Sequence, residues 1–95
     1  MVSQCVTVKN PKGLHLRVAE KFCELAIEYP CSILIQSKNA KLNGKSILGV
    51  LGACVKQGDE INIICEGERE QEALESLIQL VKNGLGEAVT EIESK

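Results

Sequence analysis

The sequence predicts an α+β fold, a two-layer sandwich in which three helices cover one face of a four-stranded antiparallel sheet. Three observations carry that expectation. Strand-like and helix-like segments follow one another as strand, helix, strand, strand, helix, strand, helix. The strand segments are short and partly alternating, whereas consecutive parallel strands, covered on both faces, would read as continuous apolar runs. The chain has 95 residues, 44% of them hydrophobic and 25% charged. A single core can bury roughly 60% or more of the surface of an unfolded chain this short, so one domain and no second module is expected.

The first strand is expected at residues 3–8, where Ser-Gln-Cys-Val-Thr-Val is rich in β-branched side chains, and Asn10-Pro11-Lys12-Gly13 follows as a turn. From Leu16 the apolar positions Ala19, Phe22, Cys23, Ala26 and Ile27 recur at three- and four-residue spacing. That pattern predicts an amphipathic helix ending at Tyr29, because the residue before Pro30 disfavours helical backbone. Residues 32–37 and 40–42 read as two strands of a hairpin turning at Lys38-Asn39. The apolar stretch 47–55 contains Gly49 and Gly52; Ser46 is a good N-cap, and Leu48, Leu51 and Val55 can share a side, so a short, glycine-weakened helix is expected. Gln57-Gly58-Asp59 is a turn, and residues 60–66 set Ile61, Ile63 and Cys65 against Glu60, Asn62, Ile64 and Glu66, as in a half-buried strand. Residues 68–83 place Ala73, Leu74, Leu77, Ile78 and Val81 on one stripe, with acids in the first turn, Lys82 in the last and Gly84 as the C-terminal cap. The domain is expected over residues 1–87, with 88–95 a short extension lacking a strong apolar face.

Eleven basic residues nearly balance thirteen acidic ones, a net charge of −2, and Phe22 and Tyr29 are the sole aromatics. Nucleic-acid binders need a basic field or stacking platforms, and this composition has neither. The longest apolar run falls far short of the roughly 20 residues that cross a bilayer, and residues 1–9 are too polar for a signal peptide, so a cytoplasmic protein without membrane insertion is expected. Five cysteines at 5, 23, 31, 54 and 65 form no Cys-x-x-Cys or Cys-x-x-His pair, which points away from zinc and toward a reducing compartment. Cys5, Cys23, Cys54 and Cys65 each lie among apolar residues and are expected to pack as small hydrophobes.

Chemistry concentrates at two places. The single histidine, His15, lies between the glycine turn and the first helix, with Arg17 two residues on. A neutral imidazole nitrogen is a nucleophile, and the free backbone NH groups of a helix N-terminus together with a guanidinium would compensate a phosphoryl group received there. From these two residues alone, a surface histidine capping the helix is the favoured reading, and chemistry the lesser one. Ser46, beside Lys45, would cap the second helix, and a phosphate would also sit favourably at that position. Such a group, next to Ile47, Leu48 and Leu51, would repel acidic partners and attract basic ones.

Together the two segments resemble a known family. Gly13-Leu14-His15-Leu16-Arg17-Val18-Ala19 is similar to the active-site segment of HPr, the phosphocarrier of the sugar phosphotransferase system, usually written Gly-Leu-His-Ala-Arg-Pro-Ala. Lys45-Ser46-Ile47-Leu48-Gly49-Val50-Leu51 resembles that family's regulatory-serine segment, and the likeness runs through Gly58, Gly67 and Gly84-Leu85-Gly86-Glu87. The resemblance implies the HPr-like open-faced sandwich, order βαββαβα. It implies a phosphocarrier: His15 accepts a phosphoryl group on Nδ1 from enzyme I, itself charged from phosphoenolpyruvate, and passes it to enzyme IIA domains of sugar permeases. Arg17 would stabilise the group in transit. Ser46 would be modified by an HPr kinase/phosphorylase, and the phosphoserine form would bind a transcription regulator of catabolite control. Leu16, Ile47, Leu48 and Leu51 would form the docking patch of a monomer that needs no cofactor and no metal. The alternative is a regulatory binding protein of the same fold acting through phospho-Ser46 in catabolite control, with a His15 site weakened by Leu16 and Val18. The chain departs from the pattern in having Leu16 for a small residue and Val18 for a proline, and Glu20 and Glu24 add negative potential one helical turn apart.

Overall fold

Strands and helices alternate as expected in the computed structural model, which describes residues 1–38 and 40–86. The elements are β1 (Val2–Thr7), α1 (Leu16–Ala26), β2 (Ser32–Ser37), β3 (Ala40–Asn43), α2 (Ile47–Gly52), β4 (Glu60–Glu66) and α3 (Glu70–Lys82). The strands form one antiparallel sheet in the order β1-β4-β2-β3. Its register sets Ile61 against Val6, Ile33 against Cys65 and Ile35 against Ile63, so the apolar members of three strands share one face, as the two-residue side-chain period requires. The helices lie on that face. Val18, Ala19, Phe22 and Ala26 of α1 and Ala73, Leu77 and Val81 of α3 are buried against it. Fully burying a Val, Leu or Phe side chain contributes about 1.5 to 3 kcal/mol. No helix among the described residues is long and apolar enough to cross a membrane.

Several boundaries differ from expectation, each for a local reason. β1 lies one residue earlier, although Val8 still donates to the Asp59 carbonyl at 2.9 Å. α1 ends at Ala26 rather than Tyr29: Glu28 and Tyr29 bond back to the carbonyls of Leu25 and Ala26, a tighter 3₁₀-type winding before Pro30. On a helix of 3.6 residues per turn, Ile27 falls outside the stripe centred on Ala19, Phe22 and Ala26, and it is 64% exposed; Val18 takes the place in the core. α2 stops at Gly52 because Cys54 turns the chain at a left-handed φ of 53°. Val55 therefore reaches the core from a loop, the expected side shared by Leu48, Leu51 and Val55 does not form, and Val50 is the buried anchor of α2. α3 starts two residues late, after turns with positive φ at Gly67 and Arg69.

The α3 stripe of Ala73, Leu74, Leu77, Ile78 and Val81 is buried as expected, and Gly84 (φ 86°) donates to the Val81 carbonyl at the helix end. The hairpin turns at Lys38 (φ 52°); Asn39 and the expected extension 88–95 lie outside the described residues. The cysteine expectation holds for Cys23 and Cys65 and fails for Cys5 and Cys54, which are exposed, while Cys31 is buried. Cys5 stands opposite Asn62 on the sheet face that the helices leave uncovered, and Cys54 sits in the turn after α2.

Candidate functional site

The loop that carries the histidine is held from three sides. Gly13 donates to the Asn10 carbonyl at 2.9 Å, closing the turn that contains Pro11 and Lys12. The fully buried Asn10 donates Nδ2 to the Gly84 carbonyl at 2.9 Å, tying the turn to the end of α3. Leu14 donates to the Val55 carbonyl at 3.1 Å, and its side chain is buried. Gly13 has φ +64°, and a Cβ there would stand 2.0 Å from the Val55 carbonyl oxygen. Only glycine permits this backbone contact.

His15 is thereby placed at the N-cap of α1 with extended backbone, φ −83° and ψ −179°, and its carbonyl accepts from Ala19 at 2.8 Å. Its side chain makes no capping hydrogen bond, so capping does not account for the residue. The first backbone NH groups of α1 have no partner within the helix. Pro11, Lys12, His15, Leu16 and Arg17 line one shallow surface pocket. An imidazole, two cationic side chains and a helix N-terminus thus converge, an arrangement suited to receiving an anion. Sequence reasoning named His15, Leu16 and Arg17 and missed Lys12; its position in the turn directly before the glycine was the available signal.

Ser46 is the N-cap of α2, as expected: its backbone is extended (φ −111°, ψ 125°) and its Oγ accepts from the Gly49 NH at 3.1 Å. The preceding turn is set by Asn43, whose Oδ1 accepts from the Lys45 NH at 2.9 Å. Of the proposed docking residues, Leu16, Ile47 and Leu48 are exposed, Leu48 by 82%. Leu51 is half-buried against the core and contributes only an edge. α1 packs beside α2, and the exposed Ile27, directly after α1, lines one groove with Ile47. Lys45, also missed as a structural residue, ties the turn before α2 to the segment after α1 by donating Nζ to the Tyr29 carbonyl at 2.6 Å.

Two of the buried thiols, Cys23 and Cys65, are poor nucleophiles. Burial pushes the Cys23 thiol up, and Cys65 is pushed up to about 11, by burial first and by neighbouring Cys31 second. At neutral pH both stay protonated. Among the described residues no group of three or more His, Cys, Asp or Glu side chains is placed to hold a metal ion.

Comparison with known proteins follows the same lines. The family model described as "PTS HPr component phosphorylation site" matches residues 2–83. The phosphocarrier protein HPr of Pseudomonas aeruginosa is 36% identical over 83 residues, covering 86% of this chain and 92% of the relative. The HPr-like protein Crh of Bacillus subtilis is 38% identical over 82 residues, covering 86% of this chain and 96% of the relative. The crystal structure of HPr-C-His from Thermoanaerobacter tengcongensis superimposes with a TM-score of 0.88 at 34% identity, covering 92% of this chain and 98% of that one.

Proposed function

The chain belongs to the HPr family, and on that premise we propose that it is a phosphocarrier that takes a phosphoryl group on His15 and hands it on. The observation that carries the reading is the placement of His15 at the mouth of α1, in one pocket with Lys12 and Arg17. The lone pair of an imidazole nitrogen would form the new N–P bond while the donor's own bond to phosphorus breaks, its electron pair staying on the donor. The helix NH groups, Lys12 and Arg17 would then face the phosphoryl oxygens. The donor is enzyme I charged from phosphoenolpyruvate, and the acceptors are enzyme IIA domains of sugar permeases. The carrier works in the cytoplasm, and nothing in this cycle requires a second copy. Leu16, Ile47, Leu48 and the edge of Leu51 form the docking surface.

The test is incubation with the cognate enzyme I and phosphoenolpyruvate, followed by intact mass measurement. The expected result is an acid-labile gain of one phosphoryl group that His15→Ala lacks. Wild-type protein that gains nothing overturns the reading.

A second reading is favoured by the Ser46 geometry together with the likeness to Crh. In it the protein is regulatory: an HPr kinase/phosphorylase modifies Ser46, and the phosphoserine form binds a transcription regulator of catabolite control. The cap supports this, since a phosphate on Oγ could keep accepting from the Gly49 NH without unwinding α2. Retained regulator binding by a His15→Ala protein, lost with Ser46→Ala, separates this reading from the first.

A further inference from the structure

The docking surface has a charge that its apolar residues do not reveal. On the α1 wheel, Leu16, Glu20, Cys23, Glu24 and Ile27 fall within one side, and that side carries no cation. Arg17 and Lys21 lie farther round, and the Lys21 stem runs beside Gly86. Glu20, Cys23, Glu24 and Ile27 join Lys45, in the turn before α2, and Ile47, at the start of α2, in lining one shallow groove. Ile27 and Ile47 are exposed, so the groove presents an apolar strip edged by two carboxylates. Neither Glu20 nor Glu24 makes an ion pair among the described residues. The groove's one cation, Lys45, is held by its bond to the Tyr29 carbonyl.

We propose that the α1–α2 groove selects a protein partner presenting an apolar helix flanked by arginine or lysine, the long stem of a basic residue lying over Ile27 and Ile47 and its head meeting Glu20 and Glu24. The proposal rests on the reading of this face as the docking surface and specifies the chemistry of what docks there. Charge complementarity carries it. Two unpaired carboxylates beside an apolar strip repel an acidic partner and steer a basic one, and an aliphatic stem with a charged end fits a groove of that composition. The same carboxylates disfavour an anionic lipid surface.

The test is a titration of the full isotope-labelled chain, followed by backbone amide signals in NMR. The probes are a synthetic amphipathic helical peptide of leucine and arginine and its leucine and glutamate counterpart. The arginine peptide should shift the amides of Glu20, Glu24, Ile27 and Ile47, and bind more weakly as salt rises from ~10 mM to ~150 mM, where the screening length falls below about 10 Å. The Glu20→Lys, Glu24→Lys double variant should lose about tenfold in affinity for that peptide, since each exposed pair is modest and two are reversed, and should gain binding of the glutamate peptide. Both positions lie on the helix surface, and the spectrum itself reports whether the variant is folded. Unmoved groove amides, or an affinity insensitive to the reversal, overturn the proposal. Failure of the carrier reading appears separately, as absence of phosphohistidine in the mass experiment.

Discussion

Replacing Gly13 by alanine tests whether the histidine loop is held by backbone contact rather than by its own preferences. Two costs can be worked from the structure. An alanine at φ +64° occupies the left-handed region, at about 1 to 2 kcal/mol. Its Cβ would also stand 2.0 Å from the Val55 carbonyl oxygen and 2.8 Å from Lys56 Cα, both backbone atoms that cannot rotate away. One strand of the loop must move, and with it goes the Leu14 to Val55 hydrogen bond, a further loss of about 0.5 to 1.5 kcal/mol. The sum is roughly 1.5 to 3.5 kcal/mol, which in a domain of this size lowers Tm by on the order of 15 °C. Gly58 supplies the control: its φ is +90°, yet a methyl group added there would meet nothing within 4 Å, so Gly58→Ala carries backbone strain alone. Urea unfolding of both variants gives the comparison, and Gly13→Ala should cost about 0.5 to 1.5 kcal/mol more than Gly58→Ala. Equal losses would refute the contact argument.

Two further outcomes are expected. Cys54 is an exposed, non-glycine residue at φ 53° after α2, so Cys54→Gly should raise stability by about 0.5 to 1 kcal/mol, the relief of left-handed strain being partly offset by greater freedom in the unfolded chain; unfolding curves showing no gain would sink that assignment. The Cys65 thiol is held up at about 11 against an ordinary 9.0, so the folded state favours the neutral form and the unfolded chain ionises first. That contribution is intact below pH 9 and is lost as pH rises toward 11, by on the order of 2 kcal/mol. The difference in unfolding free energy between wild type and Cys65→Val should therefore narrow across that window, and a difference that stays flat would show the thiol is not responsible.

Periodicity made the long elements legible. The α3 stripe and the alternation of Ile61, Ile63 and Cys65 were readable because burial on one side is a repeating constraint. The ends of α1 and α2 were not, because each is set by a single local event: 3₁₀ winding before Pro30 and a left-handed turn at Cys54. Nor does apolar character separate core from docking surface. Ile27 and Leu48 look like core residues in the sequence, and only their angular position on the helices exposes them. His15 and Ser46 stood out because each sits before a helical pattern, but the partners that hold them, Val55 and Asn43, are distant in sequence or act through backbone atoms that no side-chain pattern encodes.

Through those backbone partners both chemical segments depend on the weakest helix. α2 has six residues, two of them glycines, and isolated helices of that length do not persist in water. It is held instead by its ends and one anchor: the Ser46 cap on Gly49, the Asn43 carbonyl accepting from the Ser46 NH at 3.2 Å, and the fully buried Val50. Gly49 is part of the same device, since a Cβ there would stand 2.6 Å from the Asn43 carbonyl oxygen. At its other end the chain turns through Cys54 and presents the Val55 carbonyl on which Gly13 and Leu14 rest. One short helix thus carries Ser46 at its start and leads into the backbone that supports the His15 loop at its finish. Good helix formers within α2 could not replace this arrangement, because what fixes the two segments relative to each other is the set of close backbone approaches that the glycines permit.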